Sequence, residues 1–160
     1  MISLISRVVA AHQLQEAKQV VVVGDRESDI YEELVMVPNL GCDLLIRSSK
    51  DRALYDRETT LFSYMASLTP AGEMTIEIKG NKKRKNRMAQ LEIRYSRIKI
   101  ACPKRRAGNP LPPYVEINAI EIREKAESVP EGEDPIIWRL LTTLEIRDIT
   151  DACLYAYWYS

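Results

Sequence analysis

VVVVGDRESDI, from Val20 to Ile30, is the stretch of sequence that decides the fold of this chain. Its run of four valines predicts a strand that is covered on both faces. Asp25 follows the strand directly, and open α/β sheets bind their ligands at the carboxyl ends of such strands. A carboxylate is also the hard oxygen ligand that Mg²⁺ takes in proteins. Asp25 is therefore our candidate catalytic and metal-binding residue, although capping of the next helix or pairing with Arg26 would equally explain an acid here.

The segments around this stretch extend it into an α/β pattern. Apolar residues at helical spacing predict a helix over 2–17, with His12 on its apolar face. Ser28 or Asp29 is suited to cap a second helix, which Pro38 would stop. The apolar run over 42–47 then predicts another core strand. Alternation of helices and strands is typical of the α/β class.

The middle of the chain changes to a period of two, which predicts an antiparallel sheet with one face in solvent. The alternating segments are 75–79, 89–96, 97–101 and 114–121. A last strand over 136–143 and a helix after Asp148 follow. Because the pattern of that helix is unbroken at Ser160, we expect the chain to be part of a longer protein.

Composition argues against several classes of protein. No stretch approaches 18 apolar residues, and the amino terminus lacks the basic start and cleavage site of a signal peptide. We therefore expect a soluble, cytoplasmic protein without a membrane partner. The three cysteines, Cys42, Cys102 and Cys153, are too far apart for C-x-x-C spacing, which favours reduced thiols over disulfides or a zinc site.

Charge is unevenly distributed although the net charge is zero. Between Lys79 and Arg106 there are twelve Lys or Arg residues and one acid, Glu92, whereas 116–134 contains seven acids and two basic residues. Such separation allows one face to carry a positive field. Five cations follow a Gly-Asn turn and are expected at a hairpin tip, where they would bind phosphates in a salt-dependent manner or simply be solvated. These are Lys82, Lys83, Arg84, Lys85 and Arg87.

Three segments in this order resemble the central part of the catalytic domain of bacterial cut-and-paste DDE transposases, the insertion-sequence group that includes the Tn-five enzyme. They are VGDRESDI at 23–30, GNKKRKNR at 80–87 and PIIWRLLTT at 135–143. The resemblance implies an RNase H-like core with an inserted antiparallel β-sheet. Residues 1–70 would be part of the core and 71–135 the insertion. Residues 136–160 would be the returning strand and the start of the helix that leads to a catalytic glutamate.

The resemblance also implies a site. Asp25 would be the second of three carboxylates that hold two Mg²⁺ or Mn²⁺ ions for phosphodiester hydrolysis and strand transfer. Trp138 would stack on a flipped base, and Tyr159 would begin the Y-x-x-R-x-x-x-E signature. The partner would be double-stranded DNA at transposon ends, bound by a homodimer of the full-length protein. Further contacts with DNA would come from Arg26, Arg47 and Lys50.

Only one of the three carboxylates is found in this sequence, so we expect the polypeptide alone to be inactive as a nuclease. Three alternatives remain open. The spacing of Asp25 and Asp29 also resembles haloacid-dehalogenase-type, Mg²⁺-dependent phosphatases, although their upstream D-x-D motif is not found. The chain could instead be a non-catalytic DNA-binding module, or a structural domain whose basic hairpin binds an acidic protein.

Overall fold

The computed structural model describes residues 19–82, 85–104 and 110–160, and within them six strands form one mixed sheet. The strands are β1 (Val21–Gly24), β2 (Asp43–Arg47), β3 (Gly72–Ile78), β4 (Arg87–Ala101), β5 (Tyr114–Glu124) and β6 (Ile137–Thr142). The helices are α1 (Tyr31–Asn39), α2 (Leu61–Ser67) and α3 (Ile149–Tyr159), with 3-10 turns at Arg26–Ser28 and Ala126–Ser128. The expected α/β class is therefore confirmed. The helix predicted over 2–17, with His12, lies outside the described residues.

The strands run in the order β1-β2-β6-β5-β4-β3. β1 and β2 are parallel, and every other neighbouring pair is antiparallel. Predicted strands agree with β1, β2, β3, β5 and β6 to within three residues at each end, whereas 89–96 and 97–101 join into the single strand β4. α2 was not predicted, because seven residues are fewer than two full turns and give too short an apolar period.

Two hydrophobic cores cover opposite faces of the sheet. α1 and α2 pack over the first core, which includes Leu34, Leu44 and Met65. α3 packs over the second core, which includes Leu45 and Ala156. The alternation of Leu44 and Leu45 between the two cores follows from the pleat of β2, in which successive side chains point to opposite faces.

β4 contributes to both cores in turn. Its first half buries Leu91 and Ile93 in the second core, and its second half buries Ile98 and Ile100 in the first. The expected sheet with one solvated face is therefore wrong for this strand. The solvated face changes sides along β4, because the strand is 15 residues long and α3 packs over its first half while α2 packs over its second.

Strand direction brings the loops after β1 and β2 to the same end of the sheet as the start of β6. We call this the Asp25 end. β5 is antiparallel to β6, and β4 is antiparallel to β5, so β4 begins at the same end of the sheet as β6. The β3–β4 hairpin therefore points towards the Asp25 end. The pairing of successive strands places Gly24, at the end of β1, level with Ser96 in β4. Arg87, at the start of β4, lies nine positions beyond Ser96 in the direction of the Asp25 end. At about 3.3 Å per residue, the hairpin therefore extends about 30 Å beyond the Asp25 end.

The cysteines and helices bear on the expectations drawn from composition, which were reduced thiols and no membrane span. The three thiols are free; Cys42 is buried, and Cys102 and Cys153 are half-buried. Among the described residues, none of the helices combines the length and apolar character that a membrane span requires.

Candidate nucleic-acid interface

Asp25 is exposed and lies immediately after β1. Its Oδ1 atom accepts a hydrogen bond from the backbone N–H of Glu27 at 3.0 Å, which caps the 3-10 turn. The turn is closed by the N–H of Ser28, which donates to the carbonyl of Asp25 at 3.1 Å. The capping role weighed from the sequence is therefore present. It leaves the carboxylate open to solvent, so the role of Asp25 as a metal ligand stays a prediction.

The fit of a metal at Asp25 depends on the neighbouring ligands. Within 19–82, 85–104 and 110–160, no group of three or more His, Cys, Asp or Glu side chains is arranged to hold an ion. Mg²⁺ is often bound by one or two protein carboxylates plus water and substrate phosphates. Asp25 therefore fits as one ligand, and the described residues do not by themselves make a two-metal centre.

Asp29 lies on the same loop but is only 1% exposed. Its carboxylate accepts hydrogen bonds from the Arg52 guanidinium, with the shortest contact at 2.7 Å. The backbone N–H groups of Ser49 and Lys50 donate to its other oxygen at 2.8 and 2.9 Å. Asp29 thus joins the loop after β1 to the turn after β2.

This geometry corrects one expectation and weakens another. Asp29 and Ser28 do not cap α1, whose N-cap residue is Ile30 and has no side-chain hydrogen bond. The Asp29 carboxylate is occupied by Arg52, and only the Asp25 carboxylate is exposed. The phosphatase alternative needs both acids at one metal, and this arrangement does not favour it.

Three arginines meet at the Asp25 end, and we call Arg26, Arg47 and Arg139 the arginine cluster. They line a cavity of about 220 Å³. The Arg139 guanidinium lies 4.0 Å from the centre of the Phe62 ring, and its Nε donates to the buried Glu121 carboxylate at 2.8 Å. The cavity is completed by Ser48, Ser49, Phe62 and Ile137.

Arg139 and Phe62 were missed in the sequence. Arg139 is adjacent to Trp138 in β6, so the pleat directs the two side chains to opposite faces. That alternation was available as a signal for Arg139. The approach of Phe62 was not, because it depends on α2.

Three cations lie at or just after the ends of strands: Arg26 follows β1, Arg47 is the last residue of β2, and Lys50 lies in the turn after β2. Arg26 and Lys50 are exposed, and Arg47 is half-buried with its Nη2 donating to the carbonyl of Ile137 at 3.5 Å. Across the described part of the chain, Arg26, Arg47 and Lys50 take part in no ion pair. Their charges are therefore available to an anionic ligand.

Trp138 and Tyr159 lie together on the other face of the sheet. Their ring centroids are 6.5 Å apart with an edge-on arrangement. Both are partly buried against the second core. A packing role for Trp138 is therefore present, and stacking of either ring on a DNA base stays a prediction.

The hairpin cations differ in their surroundings. Lys82 and Lys85 are exposed, whereas Arg87 pairs with Glu124 and, at 3.4 Å, with Glu133. Burial alone would raise the pKa of Glu124, but hydrogen bonds, of which that from Arg87 is the strongest, outweigh it and lower the pKa. Arg87 is thus committed to an internal pair. Two other predicted DNA contacts, Lys83 and Arg84, lie outside the described residues.

Further along the ribbon formed by β4 and β5, Arg97 pairs with Glu116 across the strands. The basic segment seen in the sequence therefore lies beside the acidic one. Part of the positive field expected from their separation is cancelled by this pairing.

The Asp25 end thus combines an exposed carboxylate with cations from three separate segments, which are the loop after β1, the end of β2 with its following turn, and β6. Its definition rests on this geometry, since no family model matches the chain and no curated protein is significantly similar to it.

Proposed function

We propose that this chain binds double-stranded DNA through the Asp25 end, as part of the RNase H-like catalytic domain of a DDE cut-and-paste transposase. In this proposal, Asp25 is one metal-binding carboxylate, and Arg26, Arg47 and Lys50 bind the phosphate backbone. The chain alone binds DNA without cleaving it.

One observation carries the proposal. Segments that are distant in sequence, around Arg26, Arg47 and Arg139, converge beside one exposed carboxylate and line the same cavity. Two of these cations are without acidic partners among the described residues. A site that presents positive charge next to a candidate metal ligand suits a phosphodiester, because the cations bind the phosphates on either side of the reacting one.

The topology supports the same proposal. Asp25 follows a strand that has a parallel neighbour, β2, and the turn of Ser48–Lys50 follows that neighbour. Ligands of such sheets bind outside the carboxyl ends of the strands. The strands β3, β4 and β5 then extend the sheet beyond β6, in agreement with the β-rich insertion that the resemblance implies.

The roles of the residues follow from their placement. Asp25 would hold one metal ion of the complete enzyme, whose two-metal centre activates the attacking oxygen and stabilises the leaving one. Arg26, Arg47 and Lys50 would neutralise phosphates and fix the register of the duplex. Trp138 would act at the other face, where stacking on an unpaired base contributes about 1–3 kcal/mol.

Salt-titrated binding tests the DNA-binding part. Fluorescence anisotropy with a labelled duplex, repeated over a range of KCl concentrations, should give a linear fall of log K with log salt, with a slope of about 0.9 per phosphate neutralised. Combined replacement of Arg26, Arg47 and Lys50 by Ala should lower both the affinity and this slope. Arg147→Ala is the control, because Arg147 is 72% exposed and follows the opposite end of β6.

Cleavage tests the catalytic part. The wild-type chain with Mg²⁺ or Mn²⁺ should leave duplex DNA uncut, because Asp25 alone does not organise two ions. Specific nicking that disappears in Asp25→Asn would contradict the expected inactivity. Binding that does not depend on salt would contradict the proposed phosphate contacts.

A further inference from the structure

We propose that the buried Asp29–Arg52 ion pair is a positioning device that fixes the arginine cluster, and that it thereby determines how many DNA phosphates the Asp25 end contacts. The inference rests on the proposed DNA-binding function. Neither residue needs to touch DNA in this role.

The Asp29 carboxylate is surrounded by donors. The turn after β2 contributes the N–H groups of Ser49 and Lys50 and the Ser48 hydroxyl, at 2.8, 2.9 and 3.2 Å. Arg52 donates to Oδ1 through Nε at 2.9 Å and through Nη2 at 2.7 Å. Its Nη2 also reaches the backbone carbonyl of Asp29 at 2.8 Å. The turn after β2 therefore surrounds the Asp29 carboxylate with hydrogen-bond donors.

The same turn is bonded to the chain that carries each arginine of the cluster. The Ser49 hydroxyl donates to the carbonyl of Arg26 at 3.1 Å. The N–H of Ser48 donates to the carbonyl of Arg139 at 2.7 Å. Arg47 precedes the turn directly. Displacement of the turn would therefore change the spacing of all three guanidinium groups.

Arg52 makes a second connection, through α2. Its carbonyl accepts the N–H of Leu61 at 2.8 Å, and the neighbouring Asp51 carboxylate accepts the N–H of Phe62 at 2.8 Å. The Phe62 ring then supports the Arg139 guanidinium. The ion pair thus reaches Arg139 both through the turn and through the helix.

Burial makes this arrangement rigid. The side chains of Asp29 and Arg52 are 0% and 7% exposed. Removing the charge of Asp29 would leave a buried guanidinium without its anion, which is costly, whereas an exposed pair can separate with little loss. We therefore expect loss of the pair to displace the turn rather than leave it in place.

Asp29→Asn tests the role, because it keeps the size of the side chain and removes its charge. Asp151→Asn is the matched control, since Asp151 forms another two-bond pair with Arg147, at 2.9 Å for both contacts. Duplex binding is measured over a range of KCl concentrations, with the binding-competent fraction from stoichiometric titration. The salt slope of the Asp29→Asn protein should be lower than that of the wild type, by about 0.9 for each DNA phosphate that the variant no longer neutralises. It should stay at the wild-type value in Asp151→Asn.

The slope separates positioning from stability, because a destabilised protein has a smaller competent fraction but neutralises the same number of phosphates. Folded Asp29→Asn with the wild-type slope overturns the inference. If that variant does not fold, Ser49→Ala gives the answer, since it keeps the ion pair and removes the hydroxyl that bonds the Arg26 carbonyl at 3.1 Å and lies 3.4 Å from Asp29 Oδ2. Its slope should fall by about 0.9, and an unchanged slope overturns the inference. A wild-type chain that does not bind duplex DNA contradicts the proposed function itself, before any variant is compared.

Discussion

The Asp25 end and the β4–β5 ribbon carry the same kinds of cation in different surroundings. On the ribbon, Arg87 and Arg97 of β4 pair with Glu124 and Glu116 of β5. At the Asp25 end, Arg26, Lys50 and Arg47, the last residue of β2, have no ion pair among the residues that the structure describes.

The difference shows that density of charge in a sequence is not the same as electrostatic potential on a surface. A cation in a strand faces whatever the neighbouring strand brings into register, and here 91–101 of the basic segment pairs with 114–124, where the acidic segment begins. Arg47, at the last position of β2, is in register with the uncharged Leu140, and Arg26 follows the end of β1. These scattered cations are therefore better placed to bind an anion than the denser run on β4.

Glu124→Gln should have the largest effect, because it leaves Arg87 without its main acidic partner. The Glu124 side chain is fully buried and that of Arg87 is 13% exposed. Breaking a buried pair costs about 3–5 kcal/mol, which urea denaturation would measure as a lower free energy of unfolding. Glu116→Gln is the control at an exposed pair and should cost less than about 1 kcal/mol. Equal losses in the two variants would mean that burial does not distinguish the pairs.

Arg47→Ala should weaken binding to duplex DNA by about tenfold, since a charge-assisted hydrogen bond to phosphate is worth about 1.4 kcal/mol or more. The salt slope should fall by about 0.9. Arg97→Ala removes the same group from the paired ribbon and should change the affinity by less than about twofold. A larger effect from Arg97 than from Arg47, in anisotropy titrations, would reverse the comparison.

Replacing both Lys82 and Lys85 by Ala should have a smaller effect on binding, a loss of about threefold on a long duplex with a shallower salt slope. The free energy of unfolding should not change, because both side chains are exposed. A duplex too short to span the distance of about 30 Å to the hairpin is the control. Unchanged affinity on the long duplex would confine the interface to the Asp25 end and favour an acidic protein as the partner of the hairpin.

The smallest effect is expected at the pair of Asp151 with Arg147, in which the Arg147 side chain is 72% exposed. The Arg147 hydrogen bond lowers the pKa of Asp151 to about 2. An acid with a lowered pKa contributes stability above its unfolded pKa, near 3.9, and loses it as the pH falls towards 2. The difference in Tm between wild type and Asp151→Asn should therefore shrink from pH 5 to pH 2. A constant difference would show that the pair does not couple to folding.

Much of the fold could be predicted because its signals are local. The valine run gave β1, although β1 is an edge strand with Val23 40% exposed and not the predicted strand covered on both faces, and period-two alternation gave β3 and β5. Asp148 accepts hydrogen bonds from the N–H groups of Thr150 and Asp151 at the start of α3, at the predicted place. α2 and the continuity of β4 could not be predicted, since they depend on packing against distant strands.

The candidate site was predictable to the same extent. The position of Asp25 follows from chain order, and so does the exposure of the loop that begins there. The burial of Asp29 does not, because its partner Arg52 is 23 residues away and nothing in the local pattern pairs them. Phe62 depends in the same way on α2, so its contact with Arg139 could be found only in three dimensions.

The way β4 is packed determines whether the β-rich region could exist apart from the rest of the chain. Its two halves contribute to opposite cores, with Leu91 and Ile93 on one side and Ile98 and Ile100 on the other. An excised fragment of 71–135 would therefore present uncovered apolar surfaces on both sides and would not persist as an autonomous module. The β-rich region therefore depends on the rest of the chain, because β4 contributes to the hydrophobic cores on both faces of the sheet.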